Sequence, residues 1–302
     1  MTWKKKLLRI TGITLLTILV LIILLSAFVY FNTERRIDKI YSVTVPELNI
    51  PSDSLSIEKG RHVMLIRGCS ECHGENLGGK KFLEDPSLAM INAPNLTRGK
   101  GGLPADYSTS DWTRTLKHGV DRNGNALFIM PSDELSRMSD EDMANLIAYC
   151  QQVAPVDNEL PRLHQLGIIG RVLLVLDKAP ILPAEKVDHG IVSVPAKTVS
   201  VSADYGKYLS VGCEGCHRAN MQGGPPLAPG FPIVPDITSK GNPGKWTKEQ
   251  FIQTLRTGIR PNGVALNQEM PWQITKNFTD GELEALFMYL QSLPAQGTEI
   301  KP

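Results

Sequence analysis

The chain has 302 residues, which allows about two domains at roughly 100–200 residues each. Its net charge is +1, so there is no electrostatic basis for binding nucleic acid. Hydrophobic residues make up 42% of the chain, an ordinary share for a globular protein, but one local concentration lies near the N-terminus.

This N-terminal segment, Ile10–Phe31, contains 22 residues and no charge. A membrane-spanning helix needs about 20 apolar residues, whereas a cleavable signal peptide has a shorter apolar core and a small-residue cleavage site. The segment is longer than such a core and ends without a good cleavage site. We therefore predict that residues 1–31 form a retained signal anchor, with a cleaved signal as the alternative, and that residues 32–56 form a tether.

Four of the five cysteines form two C-x-x-C-H motifs, at 69–73 and 213–217. Two cysteines at this spacing can form thioethers with both vinyl groups on one edge of a haem, and the next residue, His, can ligate the iron. The motifs therefore predict two haem c groups. The attachment residues are Cys69, Cys72, Cys213 and Cys216, and the proximal iron ligands are His73 and His217.

A bare C-x-x-C also occurs in redox dithiols and in zinc sites. Here both pairs carry the histidine and both follow an export segment, which favours haem. Because haem c is attached on the outer side of the bacterial membrane, we predict a single-pass membrane protein with both haem domains in the periplasm. The fifth cysteine, Cys150, lies in a helical pattern and is interpreted as a small buried hydrophobe, with a reactive thiol or an intermolecular disulfide as the alternative.

The two halves of the chain repeat one another beyond the haem motifs. The repeat unit spans about 100 residues, which indicates a domain duplication and not a solenoid. We predict one domain at 57–155, a second at 201–296 and a linker at 156–200. The matching segments are 93–97 with 234–238, 116–119 with 255–258, 123–124 with 262–263, and 130–131 with 270–271.

Each copy has the sequence signals of helix starts, and strand signals are few. The haem motif is followed by a Pro/Gly-rich loop, a middle helix, a Met-bearing loop and a terminal helix. We therefore predict an all-α fold of two tandem helical domains. The pairs that indicate helix N-termini are Ser108 with Asp111, Ser139 with Asp142, Thr247 with Gln250, and Thr279 with Glu282.

The sixth iron ligand is predicted from the repeat. In the first half the candidates are Met90, Met130, Met138 and Met143. Only the dipeptide Met130-Pro131 has an identical counterpart, at 270–271, in the loop before the last helix, while Met138 and Met143 pair with apolar residues. We predict Met130 and Met270 as ligands, since Met/His ligation suits electron transfer. The alternative is that both are core methionines.

Pro94 and Pro235 follow the two haem motifs at matching positions. Either proline carbonyl could accept a hydrogen bond from the proximal imidazole, as metal-bound histidines usually require, or the prolines could simply mark turns. The sequence leaves both interpretations open. In the linker, the apolar stretch 166–176 is too short to span a bilayer. It predicts a helix that packs on a haem domain or, as the alternative, lies on the membrane.

Taken together, these motifs resemble class I c-type cytochromes in a membrane-anchored dihaem arrangement, over about 57–155 and 201–296. They are also similar to the haem subunits of periplasmic alcohol and sugar dehydrogenases, which commonly carry three haems; a third haem motif is absent from this sequence. The resemblance implies small helical domains, His73/Met130 and His217/Met270 ligation, and electron transfer.

Three functions were weighed against one another. The favoured one is electron transfer, not enzymatic catalysis, with a dehydrogenase, a quinol-oxidising complex or a terminal oxidase as redox partner. A dihaem peroxidase needs one iron with a displaceable ligand and a nearby acid–base group; Glu269 beside Met270 is the only such hint, and it is interpreted as a surface residue. The third is a haem sensor, for which no output domain is evident.

Overall fold

The structure, a computed structural model, describes residues 3–45, 47–179, 181–191, 193–227 and 230–293. The last residues of the predicted second domain, 294–296, lie outside the described residues. Helix α1 (Trp3–Ile37) is long and apolar enough to cross a membrane, and none of the described residues covers its apolar window. This helix contains the whole predicted span.

The two halves fold as two copies of one helical arrangement. In each copy a first helix leads into the haem motif, and a middle, a very short and a terminal helix follow. The first copy contains α2 (Ser54–Ile66), α3 (Cys69–His73), α4 (Thr109–His118), α5 (Ser132–Leu135) and α6 (Asp140–Gln152). After the linker helix α7 (Ile168–Val175), the second copy contains α8 (Ala203–Leu209), α9 (Val211–His217), α10 (Lys248–Thr257), α11 (Trp272–Thr275) and α12 (Asp280–Ser292).

The four predicted helix starts are confirmed by their N-caps. Ser139 accepts a hydrogen bond from the backbone N–H of Asp142. Helices α4, α10 and α12 each begin with a complete capping box, in which the third residue also bonds back to the cap. The aspartate at 111 therefore serves as well as the more usual glutamate or glutamine.

The first and last helices of each domain cross in direct backbone contact at a glycine. A methyl group on Gly60 would lie 1.9 Å from the carbonyl oxygen of Asn145. At the matching position, a methyl group on Gly206 would lie 1.9 Å from the carbonyl oxygen of Ala285. Only glycine permits this separation, so each pair of helices packs as closely as its backbones allow.

A small sheet adds strands that the sequence did not predict. Strand β1 (Lys80–Asp85) pairs antiparallel with β2 (Ala89–Ala93), which pairs antiparallel with β3 (His164–Leu166). The fold is thus mostly helical, as predicted, with this sheet as an addition to the first domain. Its third strand comes from the linker and begins 71 positions after the end of the second strand. A pairing between such distant segments leaves little local sequence signal.

The linker is not only a spacer, because it completes a third hydrophobic core. This core joins the end of the tether, the sheet and the linker on the side of the first domain. His118 of α4 also contacts the linker, with its Nδ1 3.0 Å from Nδ1 of His189. The buried members are Tyr41, Ala89, Ile91, Val120, Ala126, Phe128, Leu166, Leu174, Ile181, Leu182 and Ala184.

Two equivalent contacts join the domains. In each, the first helix of one domain meets the last helix of the other. Nε2 of His62, in α2, lies 2.9 Å from a carboxylate oxygen of Glu282 in α12. At the corresponding positions, the Tyr208 hydroxyl donates to Asp142 at 2.5 Å. Such reciprocity is the mark of a two-fold interface, here between two halves of a single chain.

A second reciprocal pair brings the Met-Pro loops onto the opposite haem motifs. Ile274 of the second domain packs against Gly68, directly before Cys69, where a methyl group would meet its Cδ1 at 2.5 Å. Glu134 of the first domain occupies the corresponding place, with its carboxylate 3.7 Å from where a methyl group on Gly212, directly before Cys213, would lie and 3.0 Å from one on Gly215. Each haem motif is therefore partly covered by the other domain.

We expect Gly60→Ala and Gly206→Ala each to destabilise their own domain by roughly 1–3 kcal/mol, because the added methyl group forces the crossing helices apart. Chemical denaturation of the haem-loaded protein measures this change. Gly281→Ala in α12 is the matched control, since its methyl group would meet only the side chain of Val201 at 3.6 Å. Equal stability of Gly60→Ala and Gly281→Ala would contradict the role of the crossing.

The His62–Glu282 contact is expected to be pH-dependent. The hydrogen bond with Glu282 raises the pKa of His62 above its usual 6.5, although burial opposes this. Burial by itself would raise the pKa of Glu282, but the bonds from His62 and Thr279 outweigh it and hold that pKa below its usual 4.5. The stabilisation is therefore present between about pH 4.5 and 6.5. It is lost as pH rises through the raised pKa of His62 and as pH falls through the lowered pKa of Glu282.

We thus expect His62→Ala to cost about 1–2 kcal/mol at pH 5.5 and clearly less at pH 9, as measured by thermal unfolding. Tyr208→Phe is the control, because its neutral hydroxyl is still protonated at pH 9, burial having raised the pKa of Tyr208. Its cost should be the same at both pH values. A His62→Ala effect that does not change with pH would show that the pair contributes by packing alone.

Candidate haem sites

The two motif histidines are held in the same way in both domains. His73 and His217 are buried at the ends of α3 and α9. Nδ1 of His73 donates to the carbonyl of Pro94 at 2.9 Å, and Nδ1 of His217 to that of Pro235 at 2.9 Å. Of the two interpretations of these prolines, the hydrogen-bonding role is confirmed. The proton on Nδ1 leaves Nε2 with a free lone pair, as a metal ligand requires.

Burial also keeps both imidazoles neutral. It lowers the pKa of His73, although the bond to Pro94 works in the opposite direction. The pKa of His217 is lowered for the same reason, against the bond to Pro235. A neutral imidazole is the form that binds a metal ion, so both histidines are ready to ligate iron.

The motif cysteines do not have the character of a redox dithiol. Burial raises the pKa of Cys69 to about 11 and that of Cys213 to about 12. Reactive cysteines of dithiol motifs have lowered pKa values. Within the described ranges, no group of three or more His, Cys, Asp or Glu side chains is placed to hold a metal ion. The thiols lie beside the motif histidines in apolar surroundings, where thioether formation with a haem leaves no charge to bury.

The loop after each haem motif has the same backbone conformation in both domains. Gly79 N–H donates to the carbonyl of His73, and Gly223 N–H to that of His217, at 2.8 and 2.9 Å. Leu77 and Met221 take left-handed φ values of 56° and 59° at matching positions. Both are almost completely buried, so burial of the side chain offsets the unfavourable backbone conformation. Neither residue was predicted from the sequence to belong to a haem site.

Each methionine predicted as an iron ligand lies in the same part of its domain as a cysteine of the haem motif. Met130 and Cys69 pack against the same hydrophobic cluster of the first domain, and Met270 and Cys213 against the corresponding cluster of the second. Both methionines stand directly before the proline that begins a very short helix, α5 or α11.

The other methionine candidates take structural positions. Met138 and Met143 are 1% and 0% exposed within the first core, as their pairing with apolar residues predicted. Met90 lies in β2.

In the second domain the haem motif and the predicted methionine ligand surround a cavity of about 420 Å³. Cys213, Cys216, His217 and Met270 line it together with apolar side chains. This volume is in the range of cavities that hold cofactors, which are mostly apolar with a few polar groups.

Two buried polar atoms at this cavity, Oγ1 of Thr254 and Nε of Arg67, find no hydrogen-bond partner among the described residues. Unpaired buried polar groups are rare in folded proteins, so their presence fits a large group with polar substituents at this site. The residues present therefore suit a haem.

The first domain supplies part of this second cavity, which sequence reasoning missed. Ile66 and Arg67 come from the turn before the first haem motif, and Pro131 directly follows Met130. Glu134 and Leu135 complete this wall, and burial raises the pKa of Glu134 to about 7. No short-range pattern could have shown this, because these residues reach the second site only through the interface between the domains.

Glu269 lies at the mouth of the same cavity but is exposed, in agreement with its interpretation as a surface residue.

A family model for cytochrome c matches the chain twice, at residues 57–154 and 203–294. Together with the two helical copies and their matching histidine sites, this defines a tandem two-domain haem protein. The chain belongs to the cytochrome c family. Two such domains imply two haem c groups, one for each C-x-x-C-H motif.

Several curated relatives are cytochrome subunits of dehydrogenases. The cytochrome c subunit of the quinone alcohol dehydrogenase of Gluconacetobacter polyoxogenes is 27% identical over 80% of this chain and 57% of its own length. The fructose dehydrogenase cytochrome subunit of Gluconobacter japonicus is 25% identical, with 80% and 53% covered. The gluconate 2-dehydrogenase cytochrome c subunit of Pantoea cypripedii is 26% identical, with 80% and 60% covered. The chain thus spans a little over half the length of these relatives.

Cys150 is 7% exposed, and burial raises its pKa strongly. We therefore expect the folded, haem-loaded protein to show no reactive thiol in a dithiobis-nitrobenzoate assay. After denaturation one thiol per chain should react, because the other four of the five cysteines are held as thioethers. A Cys150→Ala variant should then show none. Reaction of a thiol in the folded state would favour the alternative interpretation of Cys150.

Proposed function

We propose that this chain transfers electrons through two covalently bound haem c groups, without catalysing a substrate reaction itself. The first haem is attached to Cys69 and Cys72 and ligated by His73 and Met130. The second is attached to Cys213 and Cys216 and ligated by His217 and Met270. A single observation carries this proposal: both domains hold a neutral imidazole by a proline carbonyl, beside buried thiols and a Met-Pro loop, in the same arrangement.

When bound, each haem supplies a one-electron Fe(III)/Fe(II) couple. The protein's own contribution is to hold the ligands still and to exclude water. The Pro94 and Pro235 carbonyls orient the two imidazoles and make them stronger donors. The apolar clusters around Met130 and Met270 shield the sulfur atoms. Ile274 and Glu134, which cross the interface, keep each haem motif against the other domain, and this closeness suits passage of an electron between the two sites.

We propose the following division of the chain. Residues 1–31 are a membrane anchor and 32–56 a tether. Residues 57–155 and 201–296 are the two haem domains, joined by the linker 156–200. The exposed apolar helix α1 supports a single membrane crossing, and haem attachment requires that both domains lie on the periplasmic side.

The related dehydrogenase subunits favour a membrane-bound dehydrogenase as the electron donor. A quinol-oxidising complex or a terminal oxidase is then a candidate for the other redox partner.

The absorption spectrum tests the ligands. We expect the oxidised protein to show the weak far-red band of methionine-ligated ferric haem, with an intensity that accounts for both haems. Met130→Ala and Met270→Ala should each remove about half of it, because each haem has one axial methionine. Met138→Ala is the matched control, since it removes a core methionine and should leave the band unchanged.

A high-spin haem in the unaltered protein, or turnover of hydrogen peroxide, would contradict the proposal and support a peroxidase. Retention of the full band in Met270→Ala would contradict the ligand assignment of the second haem alone.

A further inference from the structure

The linker helix α7 leaves a row of aliphatic side chains uncovered. Ile168, Val172 and Leu176 are spaced by four residues and therefore share one helical face, and Ile169 lies beside them. Their exposed fractions are 79%, 38%, 57% and 52% in that order. These four residues are called here the α7 face. Exposed apolar groups in such a row indicate a surface that is covered by something else.

The opposite side of α7 is fixed against the small sheet, so the α7 face cannot turn inward. Leu174 is 1% exposed within the third core. A methyl group on Gly170 would lie 2.1 Å from the carbonyl oxygen of Leu88, so the helix backbone touches the β1–β2 turn directly. Ile169 N–H also donates to the carbonyl of Ser87 at 2.9 Å.

The helix is also fixed to α1 at the point where the apolar stretch ends. Arg171 is the only charged residue of α7. Its guanidinium lies 2.6 Å from the Glu34 carboxylate and 2.5 Å from the Thr33 hydroxyl, and 4.9 Å from the centre of the Tyr30 ring. Since a helix rises 1.5 Å per residue, these three partners lie within about 6 Å along α1.

This position is the level of the membrane surface. The apolar stretch of α1 ends at Phe31, and aromatic residues such as Tyr30 prefer the boundary between lipid and water. Arg36, one turn further, binds the other end of α7 through the Leu174 carbonyl and Asp177. These contacts hold α7 beside the point where the exposed apolar stretch of α1 ends, and the one cation of the helix, Arg171, is paired with α1.

We propose that the α7 face lies in the surface layer of the same bilayer that α1 crosses, and so holds the first haem domain at a set height and orientation on the membrane. The occupant is lipid, at the boundary between headgroups and acyl chains, where short amphipathic helices bind. This inference rests on the proposed membrane anchor.

A carbene precursor dissolved in the lipid tests this in the full-length, haem-loaded protein in nanodiscs, with adducts mapped by mass spectrometry. We expect residues 10–31 to be labelled and the α7 face to be labelled as well. The labelling yield per residue of the α7 face should be roughly tenfold above that of Ile259 and Val264, because the reagent is far more concentrated in lipid than in water. Ile259 and Val264 are matched controls, being 44% and 52% exposed in the second domain.

The outcomes separate the two proposals. Labelling of residues 10–31 with an α7 face no more labelled than Val264 would overturn the lipid contact while leaving the anchor intact. It would indicate that a partner protein covers this face. Absence of labelling from residues 10–31 would refute the anchor itself. In the double variant Ile169→Asn/Val172→Asn, label on the remaining α7 residues should fall severalfold, while the haem spectrum and the labelling of residues 10–31 stay unchanged.

Discussion

Each haem domain depends on one close crossing of helices, made at Gly60 in the first domain and at Gly206 in the second. The distance between the crossing backbones leaves no room for a methyl group. Because the haem motif directly follows the first helix and the Met-Pro loop precedes the last, this crossing sets the positions of the motif histidine and of the methionine proposed as its partner ligand. The hydrogen bond from each motif histidine to a proline carbonyl then fixes the imidazole within that frame.

The duplication has a second consequence, because the two copies pack on each other around an approximate two-fold axis. Both domains contribute the same surface to the interface, so the contact of His62 with Glu282 has a counterpart in the contact of Tyr208 with Asp142. The copies have nevertheless diverged at the positions that reach across. Ile274 packs against the first motif, whereas the matching Glu134 brings a carboxyl group to the second. The two haem sites therefore have different surroundings although their proposed ligands are the same.

The linker connects this pair of domains to α1. Its strand extends the sheet of the first domain, its helix is bound to the end of α1 through Arg171, and His189 reaches back to α4. Burial lowers the pKa of His118, the α4 partner of His189, to about 4, so His118 stays uncharged at neutral pH. The first domain is consequently held against the end of α1 by a packed core, and the second domain is held by the first.

The sequence by itself determined the features that depend on neighbouring residues: the apolar span, two haem motifs, the duplication, four capped helix starts and the Met-Pro pairs. Each has a local cause, such as the reach of Cys-x-x-Cys-His to a haem edge or the hydrogen bonds of a capping box. Only the tertiary structure decided how the linker packs, that β3 joins the sheet, and that Arg67 and Glu134 line the second cavity. These features depend on contacts between residues far apart in the chain. Such contacts form because the surfaces fit and bury each other, and they leave no periodic pattern in the sequence.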